Sequence, residues 1–167
     1  MATFDRWSPE AARQAGRRVL YVEDDDELRR LVARVLNAEH YQVTDVCTAE
    51  AGLEALGRKP HGLVITDWVL PGRNGGWLLA EARAHRLIAP SSAIVVTGSP
   101  DVGDVGGALV LRKPVDLDLL VAEVAAMLEA VAWSAGRRPR SGVERRLDPD
   151  EHQGAQIFEL RPRRARA

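Results

Sequence analysis

Short apolar runs alternate along this chain with stretches whose apolar residues recur at helical spacing. Val19-Leu20-Tyr21-Val22 predicts a first strand. After an acidic run, Glu23 to Glu27, residues Leu28, Leu31, Val32, Val35 and Leu36 predict a helix capped by one of Asp24 to Asp26. Tyr41 to Cys47 predicts a second strand, with Cys47 as a small buried residue, and Thr48 is the candidate cap of a second helix that carries Leu53 and Leu56. Gly57 and Pro60 end that helix. Leu63-Val64-Ile65 is an unbroken apolar run leading to Thr66 and Asp67, the pattern of a strand covered on both faces. Turn signals follow at Pro71-Gly72 and Asn74-Gly75-Gly76. A third helix is predicted from Trp77 to Arg86, a fourth strand at Ala93 to Thr97, and a fifth at Ala108 to Leu111. The last helix runs from Val115 to Trp133, capped by Asp116, with Leu119, Leu120, Val124, Met127, Leu128 and Val131 on its apolar stripe.

Alternating units of this kind imply an α/β fold: a flavodoxin-like, doubly wound sheet of five parallel strands in the order 2-1-3-4-5. One unit is defective. Gly98 to Gly107, GSPDVGDVGG, holds four glycines and a proline and almost no helical pattern. Between the fourth and fifth strands a loop, or at most a short and poor helix, is therefore expected.

Composition adds limits. The chain has 167 residues, 46% hydrophobic and 28% charged, enough for one domain with a real core. Residues 1–16 read as a lead-in with a helical turn after Ser8-Pro9-Glu10 and with Phe4 and Trp7 available to pack on the body. From residue 17 to 133 there are 12 Lys+Arg against 17 Asp+Glu, net −5; from 134 to 167 there are 9 against 5, net +4. The body, 17–133, is thus acidic. The tail, 134–167, is basic, poor in apolar residues and read as disordered, with Ala155 to Leu160 as a short docking segment. A single cysteine excludes an internal disulfide and a cysteine-based metal cage. His40, His61, His85 and His152 lack metal-ligand spacing and read as surface or turn residues. Neither a secretory signal nor a long apolar run is present, which fits a cytoplasmic protein with no membrane partner. No DNA-binding domain fits into the tail, so nucleic acid is not the expected partner.

Polar groups cluster at the predicted strand ends: Glu23 and Asp24 after the first, Asp67 at the third, Thr97 at the fourth, Lys113 after the fifth. In a parallel sheet these ends share one edge, where ligands bind. Carboxylates gathered there repel unless a cation joins them, and a hard divalent ion such as Mg²⁺ suits oxygen donors. With a lysine beside it, the pocket suits phosphoryl transfer, and a carboxylate can act as nucleophile to form an acyl phosphate.

VLYVEDDDELRRLV, LVITDWVLPGRNGGWLL, IVVTGS and LRKPVD, in this order, resemble the receiver domains of two-component response regulators, over roughly Arg17 to Trp133. The resemblance implies Asp67 as phosphoacceptor, and Glu23 and Asp24 as the acidic pair that organises Mg²⁺, with Asp24 the more direct ligand. It further implies the main-chain carbonyl of Val69 as a ligand, Thr97 as the hydroxyl that binds the phosphoryl group, and Lys113 as its cationic partner. A cis bond to Pro114 and a turn-forming Gly75 belong to the same pattern. Partners would be a histidine kinase or histidine phosphotransfer protein and a downstream protein; a homodimer is left open. The only enzymatic activity implied is self-phosphorylation and dephosphorylation.

Three departures stand out. Val110 occupies the place of the usual aromatic residue, the Thr97–Lys113 stretch is short and glycine-rich, and Val69 offers no polar side chain to position water. Slow loss of the phosphoryl group is expected from the last, and a Gly98–Gly107 loop that is mobile without phosphate and more ordered with it from the others. The alternative reading is a receiver-like docking module that works without phosphorylation. A metal-dependent phosphatase or nuclease ranks last, because Asp67-Trp68-Val69 lacks their Asp-x-Asp pair.

Overall fold

A computed structural model describes residues 14–134; the readings of the lead-in before residue 14 and of the tail beyond residue 134, His152 included, lie outside the described residues. Nine elements follow in order: β1 (Arg18–Val22), α1 (Asp26–Ala38), β2 (Gln42–Val46), α2 (Ala49–Arg58), β3 (Leu63–Asp67), α3 (Gly75–Ala84), β4 (Ala93–Thr97), β5 (Leu109–Arg112) and α4 (Leu117–Ser134). The strands form one sheet in the order β2-β1-β3-β4-β5, every pair parallel, as the alternation of strand and helix predicts.

Successive side chains of a strand point to opposite faces, and this alternation splits the core in two. Leu20, Val22, Val64, Ala93 and Val95 face α2 and α3, where Leu56, Leu78, Leu79 and Ala82 cover them. Val19, Tyr21, Leu63, Ile65, Ile94 and Val96 face α1 and α4, which contribute Val32, Leu36, Leu120, Val124 and Leu128. Burying one such aliphatic side chain contributes about 1.5–3 kcal/mol, so the three central strands carry much of the stability.

Local chemistry sets the boundaries. Asp25 caps α1, its carboxylate accepting from the amides of Glu27 and Leu28 at 2.9 Å each. Thr48 caps α2 through the amide of Ala51 at 3.2 Å, and Asn74, read from sequence only as part of a turn, caps α3 through Trp77 at 2.8 Å. Asp116 accepts from Leu119 at 3.0 Å at the head of α4. No helix forms between β4 and β5; there the loop lays Val102, Val105 and Ala108 against the α2/α3 side of the core.

Other expectations need correction. Cys47 is exposed, not buried: β2 is an edge strand that ends at Val46, and Cys47 lies beyond it. His61 is not a surface residue but is 1% exposed, packed between β2 and the entry to β3. β5 is shifted one residue later than expected. Leu31 and Leu119, expected on apolar stripes, are exposed at 46% each, on the flanks of their helices. Among the described residues, no helix is long and apolar enough to cross a membrane.

Candidate functional site

Strand register builds the site. Val22 pairs with Thr66, Asp67 with Val96, and Thr97 with Arg112. The residues just past these pairs therefore crowd onto one edge of the sheet: Glu23 and Asp24 after β1, Asp67 at the end of β3, Thr97 at the end of β4, and Lys113 just beyond β5. A tight turn after β3 keeps the next helix clear. Gly75 donates its amide to the carbonyl of Trp68 at 3.1 Å, and a Cβ there would stand 2.1 Å from the carbonyl oxygen of Asp67, so only glycine fits.

Lys113 joins the acids. Its Nζ donates to Glu23 Oε2 at 2.8 Å and to Asp67 Oδ2 at 2.6 Å. Asp67 is buried at 6% exposure, and its Oδ1 accepts from the amide of Val69 at 3.0 Å. Glu23 is also buried, and Asp24 is exposed toward solvent; each of the three acids offers an oxygen within 4.8 Å of the others. Hard oxygen donors this close, one of them on the water side, fit a divalent cation such as Mg²⁺. The Lys113–Pro114 peptide is cis.

Burial and charge oppose each other here. Burial pushes the Glu23 carboxyl above its ordinary range, and the bond to Lys113 only partly offsets this. For Lys113, burial alone would lower the affinity for its proton, but the bonds to Asp67 and Glu23 outweigh it and hold the ammonium above its ordinary value.

Thr97 reaches the same edge, fully buried, but its hydroxyl is engaged locally, accepting from the amide of Ser99 at 3.0 Å. The Val69 side chain is 60% exposed. Trp68 and Trp77 are partly buried against the α2/α3 side of the core, with Arg73 over the Trp77 ring at 5.4 Å. Two neighbours of the site were not singled out from sequence. The Tyr21 hydroxyl donates to Glu23 Oε2 at 3.4 Å; burial, then the nearby carboxylates, raises its pKa far beyond the usual range. Arg29 donates to the Glu23 carbonyl at 2.9 Å and pairs with Asp26 and Asp45. Tyr21 was legible only as a strand residue, and Arg29 only as a polar helix position.

The response regulator receiver domain, as a family, matches residues 19–125. The chain belongs to this family. Among curated relatives, the response regulator receiver protein CpdR of Brucella abortus is 34% identical over 121 residues, 68% of this chain and 98% of CpdR. The transcriptional regulatory protein TcrA of Mycobacterium tuberculosis is 32% identical over 148 residues, 84% of this chain but 56% of TcrA. This receiver therefore spans about half the length of relatives such as TcrA. Among solved structures, a CheY-like receiver domain protein from Methanospirillum hungatei superposes with a TM-score of 0.65 at 27% identity, covering 70% of this chain and 97% of that one. The receiver domain of the hybrid histidine kinase CckA gives a TM-score of 0.59 at 30% identity, over 66% of this chain and 98% of that one.

Proposed function

We propose that this receiver accepts a phosphoryl group on Asp67 from a histidine kinase or histidine phosphotransfer protein and signals through protein contacts. The observation that carries the reading is the bridge from Lys113 Nζ to both Asp67 and Glu23, with Asp24 beside them. In the transfer, a carboxylate oxygen of Asp67 attacks the phosphorus, the bond from phosphorus to the donor's histidine nitrogen breaks, and an acyl phosphate forms. Glu23, Asp24, Asp67 and the Val69 carbonyl would hold Mg²⁺, which supplies charge neutralisation for the phosphoryl oxygens. Lys113 neutralises the oxygens on the other side. Thr97 exchanges its bond from Ser99 for one to the phosphoryl group. Val69, apolar and exposed, positions no water, so the charged form decays slowly. In this reading the reaction is confined to the receiver's own aspartate.

Incubation with a phosphorylated kinase or a small phosphodonor in Mg²⁺ labels wild type and not Asp67→Asn. Wild type that takes no label from any donor overturns the reading. A signal unchanged in Asp67→Asn would instead favour docking without phosphorylation.

A further inference from the structure

The loop between β4 and β5 is the part of this receiver that departs furthest from a strand-and-helix repeat, yet it is not loosely attached. At its start, Arg112 donates to the carbonyls of Ser99 and Pro100. In its middle, Gly103 lies against the indole of Trp68, the residue that follows Asp67; a Cβ on Gly103 would stand 3.3 Å from the ring. The same indole is seated on Gly76, where a Cβ would come within 2.6 Å of it, so the ring is boxed between α3 and the loop. At its end, Arg83 of α3 reaches up and donates from Nη1 to the carbonyl of Val105 at 2.9 Å. Gly106, at a φ of +56°, passes so close that a Cβ would lie 2.4 Å from Arg83 Nη1.

Arg83 is the unexplained feature. A guanidinium carries five donors in a fixed fork. Here Nε and Nη2 are buried and have no hydrogen-bond partner. Buried donors left unpaired cost about 1–3 kcal/mol each, so their persistence asks for a second arrangement in which they are used. Both acceptors that bear on the guanidinium belong to the loop: the Val105 carbonyl, which Arg83 already holds, and Asp104, whose carboxylate acts on its charge.

We infer that Arg83 is a two-position latch for residues 98–107, holding the Val105 carbonyl in the resting state and adding a second loop acceptor in the charged state, with the boxed Trp68 linking the phosphoacceptor to the loop. The inference rests on the reading of Asp67 as phosphoacceptor. It gives this receiver a route from the site to its surface that does not use an aromatic residue at position 110. Thr97 is where the change begins: when its hydroxyl leaves the amide of Ser99, the start of the loop is released, and the loop settles further onto Arg83. Arg83 is a positioning residue in this scheme, since it touches neither Asp67 nor the phosphoryl group.

The test uses the full chain with Mg²⁺ and beryllofluoride, a stable phosphoryl mimic, and reads two signals. Fluorine NMR reports binding at Asp67; amide hydrogen exchange reports the loop. In wild type, binding slows exchange across residues 103–107 by about tenfold, as one further hydrogen bond of ordinary net strength would. Arg83→Lys binds beryllofluoride as wild type does but shows no such slowing, because an ammonium cannot offer the second edge of the fork. Equal slowing in the two proteins overturns the latch, as does wild type that binds the mimic with no change in the loop. A readout free of any variant comes from the Nε–H resonance of Arg83, which shifts downfield on charging as the buried group gains an acceptor; no change there overturns the latch even if Arg83→Lys fails to fold. Wild type that binds no beryllofluoride at all defeats the phosphoacceptor reading itself, and is told apart by the fluorine signal.

Discussion

The two sides of the site are built differently. β3 and β4 are buried at all five of their positions, and β1 at its last four. β5 is half-buried at three positions and exposed at the fourth, and the loop before it has no helix over it. The acids Glu23 and Asp67 therefore hang from a rigid frame, whereas Lys113, which bridges them, is carried by the looser flank. On the proposed reading of Asp67 as phosphoacceptor, this division would keep the attacking carboxylate fixed while Lys113 is free to shift. Cores are bistable more readily than they are elastic, so a movable flank against a fixed frame is a sound basis for a two-state switch.

The comparison breaks most sharply on core truncation. Ile65→Ala, at a position with no exposure, should cost about 2–5 kcal/mol in urea unfolding, the range for large-to-small changes in a packed core. Leu111→Ala in half-buried β5 should cost less than about 1.5 kcal/mol, since part of its surface already meets water. Equal losses would mean that the two flanks are equally rigid. Next in size is Lys113→Ala, which leaves two buried carboxylates facing each other. Removing one partner of a fully buried pair costs about 3–5 kcal/mol. The lysine side chain is 24% exposed, so about 2–3 kcal/mol is expected in chelator, partly restored by Mg²⁺. A variant as stable as wild type in chelator, or one that Mg²⁺ leaves unchanged, would show that the acids do not act as one cluster.

Much of this arrangement was legible in advance because local and global signals agreed. Leu63 to Ile65 is apolar without interruption, the pattern of a doubly covered strand, and the strand's end fixes where Asp67 stands. GSPDVGDVGG cannot sustain a helix, and none forms. What escaped is decided by residues distant in sequence. His61, between Pro60 and Gly62, has the local pattern of a turn; its buried ring is held by Thr44, a residue of β2 far away in sequence. Arg83 occupies a polar position in an Ala-rich helix and was not singled out; it is partly buried, and the loop it bonds covers its Nε and Nη2. Cys47 was placed one residue inside a strand that ends before it, the common error at element boundaries. Trp68 reads as a core-packing residue and packs so, but its particular seat depends on Gly76 and Gly103, which make room for the ring from two separate segments.

The smallest expected effect comes from His61, and it tests the rigid flank from the end opposite the site. Its Nδ1 lies 3.0 Å from the Lys59 carbonyl, so Nδ1 carries the proton and donates, and Nε2 accepts from the Thr44 hydroxyl at 3.1 Å. That pattern requires the neutral ring. Burial lowers the pKa from its ordinary 6.5, and Arg18 and Lys59 add repulsion, while the Lys59 carbonyl acts the other way. The unfolded chain therefore takes up this proton first as pH falls. Its contribution to stability is complete above about pH 6.5 and is lost progressively as the pH drops toward and through the folded value. Glu23 works in the opposite direction: with its carboxyl held above the ordinary range, its contribution is greatest at low pH and is lost as pH rises through that window. Total stability therefore mixes the two, and the informative quantity is the difference between wild type and His61→Gln. Urea midpoints at pH 7.5 and pH 5.5 should show wild type losing stability on acidification relative to the variant. The two proteins falling in parallel would mean that the His61 ring accepts its second proton without leaving its place, and that the buried flank is softer than β3 and β4 imply.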